Sequence, residues 1–162
     1  MMTINKGDRI PDGKLKVMGA DGPMNVTAGE LLGKGRVVLF SVPGAFTPTC
    51  SAKHLPGFVE KAAELRRKGV GEIVCLAVND VFVMSAWGKS SNVGDAVVMA
   101  ADGNGDYTRA LGLELDARGF GMGLRGQRFA LVIEDGVVQQ VHVEEPGEFK
   151  VSSAEHLLAS LP

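Results

Sequence analysis

Two segments of the 162-residue chain restrict its fold more than any others. Residues 36–42 (RVVLFSV) and 71–80 (GEIVCLAVND) are near-continuous apolar runs rich in β-branched side chains, the pattern of strands buried on both faces. Between them Leu55, Phe58, Val59, Ala62 and Leu65 recur at helical spacing, and Lys68-Gly69 supplies a stop. Strand, helix and strand in this order make a right-handed βαβ unit with parallel strands. Pro56-Gly57 is expected to kink the helix near its second turn.

The remaining segments extend this unit. KLKVMGADGPMNVT reads as a hairpin turned at Asp21-Gly22, followed by a short helix over AGELL. A helix over 80–90, a strand over 96–102 and a helix over 106–113 come next. RFALVIEDGVVQQVHVE (128–144) reads as two strands turned at Asp135-Gly136, and SSAEHLLASL (152–161) as a closing helix. Parallel strands, then an antiparallel hairpin and a last helix, imply an α/β fold. The expected form is a thioredoxin-like three-layer α/β/α sandwich with a mixed central sheet, in one domain over 1–162.

Composition removes several function classes. Seventeen Lys and Arg against nineteen Asp and Glu give a formal charge of −2, and no basic stripe is present. No nucleic acid and no anionic membrane surface is therefore expected as a partner. The opening MMTINKGDRIPDG lacks the apolar core of a signal peptide, which leads to the expectation of a cytoplasmic protein. Two cysteines cannot make a disulfide framework, and three histidines show no zinc spacing, so no metal and no cofactor are expected. Gly121–Gly126 spells GxGxxG, but a strand follows it where dinucleotide binding requires a helix. Asp102–Asp106 imitates a calcium loop, yet Tyr107 stands where that loop requires glycine.

The stretch VPGAFTPTCS (42–51) carries the chemistry. In open α/β sheets the ligand crevice lies beyond the carboxyl ends of the parallel strands, where this loop falls. Cys50 belongs to the first turn of the following helix, whose free N–H groups and dipole favour a thiolate, the nucleophilic form. If RFALVIED runs antiparallel to 36–42, its start shares that edge and brings Arg128 to the thiol. Arg125, further back in the glycine-rich loop, is the other candidate cation. His54, four residues after Cys50, leaves open a cysteine hydrolase or acyl transferase. A redox-sensing or partner-binding module is the non-enzymatic alternative.

Pro43-x-x-x-Thr47-x-x-Cys50 matches the active-site signature of peroxiredoxins. PGAFTPTCSAKHLPGF, GEIVCLAVNDVFVMSAW and GQRFALVIEDGVV resemble the type II, five-like subgroup in the same order. The resemblance implies a thiol peroxidase acting on hydrogen peroxide and alkyl hydroperoxides, with Cys50 as peroxidatic cysteine and Thr47 and Arg128 completing the catalytic set. Thr47 would accept a hydrogen bond from the peroxide and donate one toward sulfur. Pro43, Gly44 and His54 would form the substrate pocket. The implied partners are glutathione with glutaredoxin, or thioredoxin, as reductant, and a second copy in a homodimer. GEFKVSSAEHLL lacks the C-terminal resolving cysteine of some members, which leaves Cys75. A strand ending near Asn79 would set Cys75 about 13 Å below the edge carrying Cys50. Disulfides need Cα atoms within about 7 Å, so an external thiol is the expected reductant.

Overall fold

Residues 3–162 are described by a computed structural model. A hairpin of β1 (Lys14–Gly19) and β2 (Gly22–Thr27) leads through α1 (Ala28–Leu32) to β3 (Arg36–Ser41). After the crevice loop, α2 (Leu55–Arg67), β4 (Val70–Ala77), α3 (Val81–Ser90), β5 (Val98–Ala101) and α4 (Asp106–Ala110) alternate. A small hairpin, β6 (Glu114–Asp116) with β7 (Leu124–Gly126), precedes β8 (Phe129–Glu134), β9 (Val137–Val143) and α5 (Ala154–Ser160).

One seven-stranded sheet runs in the order β2-β1-β5-β4-β3-β8-β9. Strands β3, β4 and β5 are parallel, whereas β8 is antiparallel to β3 with Ser41 opposite Phe129. Side chains alternate between the two faces. Val38, Phe40, Cys75 and Val132 point to one core with Phe58, Trp87 and Leu157 of α2, α3 and α5. Val37, Leu39, Val74 and Leu131 point to the other with Leu32, Tyr107 and Leu111. This is the mixed-sheet sandwich expected, with helices on both faces. Among the described residues no helix is long and apolar enough to cross a membrane.

Several boundaries differ from expectation for local reasons. The first hairpin turns at Ala20-Asp21, because Gly19 pairs with Gly22, which itself takes φ +116°. The second turns at Asp135-Gly136 as expected, both with positive φ (48° and 82°). Strand β4 stops at Ala77 and not near Asn79. Asp80 caps α3 by accepting from the Val83 N–H, and the Asn79 side chain is committed to Ala45. Strand β5 starts at Val98 because Ala96 N–H bonds back to the Val93 carbonyl in a turn. Helix α4 ends at Ala110, where Gly112 (φ +72°) supplies the left-handed stop. The hairpin of β6 and β7 has no signal in the sequence, its strands having three residues each and no clear alternation.

The expected kink takes a different form. Residues Cys50–His54 make a wide π-turn in which Leu55 N–H donates to the Cys50 carbonyl. Pro56 has no N–H, and its ring would crowd the Ala52 carbonyl in a regular α-helix. Widening the turn just before it relieves that contact and sets Cys50 at the head of the helix. The GxGxxG segment forms a turn and β7, and the Asp102 carboxylate accepts from the N–H groups of Tyr107 and Thr108 at the start of α4. Both serve the fold.

Candidate active site

The loop after β3 is held from several sides. Ala45 N–H donates to Asn79 Oδ1 at 2.9 Å, and Phe46 adopts a left-handed φ of 64°. Thr47 Oγ1 donates to the Gly44 carbonyl at 2.7 Å, and Ser51 N–H donates to the Thr47 carbonyl at 2.9 Å. Ser51 Oγ accepts from Trp87 Nε1 at 3.1 Å, tying the turn to α3. Cys50, in this first turn, is fully buried.

The antiparallel register of β8 brings Arg128 to the sulfur. Its Nη2 donates to Cys50 Sγ at 3.0 Å, and its Nη1 donates to His54 Nδ1 at 2.7 Å. The guanidinium carbon lies 5.8 Å from the Phe149 ring centroid. Arginine can only donate, so His54 Nδ1 must accept and the ring proton sits on Nε2. That N–H donates to the Ser152 carbonyl at 2.9 Å. Burial, and secondarily the Arg128 charge, push the His54 pKa down to about 3, so the ring is neutral near pH 7.

His54 therefore cannot serve Cys50 as a base, since its one lone pair is taken by Arg128. The Cys–His arrangement of a hydrolase is not formed. Arg125 is held elsewhere: Nε donates to the Met122 carbonyl at 2.9 Å and Nη1 to the Pro43 carbonyl at 3.4 Å. It braces the loop, while Arg128 reaches the thiol.

A pocket of about 490 Å³ opens beside this cluster, lined among others by Pro43, Thr49, Leu115, Phe120, Met122 and Arg128. Of the three residues expected to line it, only Pro43 does. Gly44 is part of the crevice loop and faces away from the pocket, where a Cβ would come within 3.1 Å of Arg125 Nη1 and 3.2 Å of Met122 Cε and Thr47 Cγ2. His54 lies behind Arg128, fully buried. The donor half of the role expected for Thr47 also changes, because its hydroxyl proton goes to Gly44 and not toward sulfur; its lone pairs stay available to accept.

Cys75 is nearer the end of its strand than expected. It pairs with Phe40 and Met99 only two residues before the end of β4, and it shares a core cluster with Cys50. Burial first, and the proximity of Cys50 second, push its thiol pKa well up. Both cysteines are free. Among the described residues no group of three or more His, Cys, Asp or Glu could hold a metal ion.

Four contributors carry no sequence signal. Asn79, Phe149, Ser152 and Glu144 lie in connections without a motif and meet the site only through tertiary folding. Glu144 is buried and accepts from the N–H groups of Lys150, Val151 and Ser152 and from Ser152 Oγ, at 2.7–2.9 Å. Burial opposes its charge, but these donors outweigh it and lower its pKa.

The redoxin family profile matches residues 5–158. The chain belongs to the peroxiredoxin family, in its type II, five-like subgroup. Peroxiredoxin-2B of Arabidopsis thaliana is 50% identical over 162 residues, covering 99% of this chain and all of that one. The hybrid peroxiredoxin hyPrx5 of Haemophilus influenzae is 37% identical over 99% of this chain and 67% of its own. Reduced Prx3 of Vibrio vulnificus, solved in complex with H2O2, superposes with a TM-score of 0.94 and 48% identity, over 99% of this chain and 100% of that one. With the family comes its activity, that of a thiol peroxidase.

The neutral buried His54 makes stability depend on acid. The unfolded chain binds a proton on this ring below about pH 6.5, whereas the folded one refuses it down to about pH 3. Stability therefore falls as pH drops from about 6.5 toward 3, by up to about 1.4 kcal/mol per pH unit. In His54→Gln, an amide keeps both hydrogen bonds without titrating. Thermal midpoints measured from pH 7 to pH 4 should fall less steeply in that variant, with the remaining slope including His142, whose pKa is also lowered by burial and by His156.

Proposed function

We propose that Cys50 is the peroxidatic thiol and that an external thiol, glutathione with glutaredoxin ahead of thioredoxin, recycles it. The 3.0 Å contact from Arg128 Nη2 to Cys50 Sγ carries this reading. A permanent cation with donors at sulfur stabilises negative charge there and on an oxygen leaving from it. The Cys50 thiolate attacks one peroxide oxygen, the O–O bond breaks, and the departing oxygen takes a proton to leave as water or alcohol. Cys50 becomes a sulfenic acid. Arg128 stabilises the charge that gathers on the departing oxygen, Thr47 accepts from the peroxide hydroxyl, and Pro43 excludes water on the pocket side. Hydrogen peroxide and small alkyl hydroperoxides fit a pocket in which Leu115, Phe120 and Met122 stand beside Arg128.

Recycling follows from the state of Cys75. A thiol held protonated inside the sheet is a poor nucleophile toward a sulfenic acid, despite its proximity. An external thiolate attacks Cys50 Sγ instead, expelling water and leaving a mixed disulfide that a second thiol opens. Peroxide consumption should be lost in Cys50→Ser and kept within about twofold in Cys75→Ser when glutathione and glutaredoxin are supplied. A quantitative Cys50–Cys75 disulfide after one equivalent of peroxide, with turnover lost in Cys75→Ser, would reject the external route.

The two arginines should separate cleanly. Arg128→Ala removes the donor at sulfur and should slow the peroxide step by about 10²- to 10³-fold in rapid mixing. It should also lower the rate at which Cys50 is alkylated at neutral pH. Arg125→Ala leaves the sulfur contact in place and should cost much less on both measures. The opposite ranking would transfer the role to Arg125.

We further infer a homodimer. Phe46, Phe82, Phe120 and Leu124 are 52, 65, 85 and 52% exposed; Phe46 lies in the crevice loop, Phe82 in the first turn of α3, and Phe120 and Leu124 in and beside the turn that joins β6 to β7. Aromatic exposure of this extent marks an interface, and a second copy offers the same apolar surface. Sedimentation should give a dimer that Phe120→Lys shifts toward monomer. A wild-type monomer at micromolar concentration would contradict this.

A further inference from the structure

We propose that Glu144 is a positioning residue of the peroxide step, acting through Ser152 and His54 on the guanidinium of Arg128. An unbroken chain of hydrogen bonds runs between them. Glu144 Oε2 accepts from Lys150 N–H at 2.8 Å, Val151 N–H at 2.9 Å, and the N–H and Oγ of Ser152 at 2.8 and 2.7 Å. Oε1 accepts from Lys150 N–H at 2.9 Å. Ser152, completely buried, presents its carbonyl to His54 Nε2, and His54 Nδ1 receives Arg128. Arg128 then meets Cys50 Sγ.

The residue types fit the task. Three successive N–H groups converging on one point need a group that only accepts, and a carboxylate does so with two oxygens. Glu144 stands one residue past the end of β9, so the sheet holds it while it holds residues 150–152. The Glu144 N–H in turn donates to the Arg128 carbonyl at 3.0 Å, tying the two backbones together. The Ser152 carbonyl then acts as a tautomer lock. While it accepts from Nε2, the Nδ1 lone pair of His54 faces Arg128. Without it, the ring could carry its proton on Nδ1, where an N–H would oppose the N–H of Arg128 and move the guanidinium off the sulfur. A salt bridge from Glu144 to Arg128 is not part of the scheme: none joins them.

This inference rests on the reading of Cys50 as the peroxidatic thiol, and two readouts keep the two apart. Glu144→Gln turns an amide NH₂ toward N–H donors, and Ser152→Ala removes only the Oγ tie as the milder change. In each folded variant the peroxide rate constant should fall, on the order of tenfold for Glu144→Gln, below the roughly 10²-fold that a 1 Å misplacement can cost. The alkylation rate of Cys50 with iodoacetamide near neutral pH should fall in parallel, which a purely structural loop anchor would not cause. In an Arg128→Ala background Glu144→Gln should add no further loss on either measure. Folded variants with wild-type alkylation and peroxide rates would overturn the proposal, as would an equal loss with and without Arg128. Wild-type protein that fails to consume peroxide would overturn the peroxidase reading instead, while the alkylation arm would still decide the role of Glu144.

Discussion

The guanidinium of Arg128 is where the backbone topology and the chemistry meet. It spends one nitrogen on Cys50 Sγ and another on His54 Nδ1, while its face lies near Phe149. A buried sulfur with a cation at 3.0 Å is useful only if that cation cannot swing away. The neighbours of Arg128 are arranged to prevent it. The neutral ring of His54 is what makes this possible, because a protonated imidazole would repel the guanidinium where a neutral one accepts from it. Burial does most of the work of keeping that ring neutral, and the arginine charge adds to it.

Two features of the fold bring these groups together. The antiparallel insertion of β8 beside β3 sets the start of one strand against the end of the other, with Phe129 opposite Ser41. The π-turn over Cys50–His54 starts the helix in a geometry that Pro56 tolerates, and both side chains then point to the same guanidinium. The close packing of the crevice loop also favours a glycine at residue 44. A methyl group there would press on Arg125, Met122 and Thr47, whose side-chain ends would have to shift by a few tenths of an ångström. Arg125 and Arg128 thus divide the labour, one bracing the loop and the other serving the sulfur.

Much of this was legible beforehand. The βαβ unit, the Asp135-Gly136 turn and the mixed sheet follow from apolar runs and turn chemistry, which act over a few residues. Cys50 and Arg128 followed from one topological step, that a strand antiparallel to residues 36–42 must begin where that strand ends. What misled was equally local. The apolar run of residues 71–80 suggested a strand reaching Asn79, although Asn79 and Asp80 are occupied by the crevice loop and the cap of α3. That shortening brings Cys75 nearer the edge than its sequence position suggested.

Residue order by itself determined the layer architecture, the edge on which the site opens, and the pairing of a helix-start cysteine with a strand-start arginine. These depend on periodicity and strand direction, both written along the chain. Only the tertiary structure decided which residues hold that pair in register. Spacing alone left His54 as a catalytic base or a pocket wall; in the fold it is a neutral acceptor behind Arg128. Glu144, Ser152, Phe149 and Asn79 have no motif to announce them. Their roles come from hydrogen bonds and ring contacts between segments up to 98 residues apart, and such contacts exist only once the sheet has closed the distance.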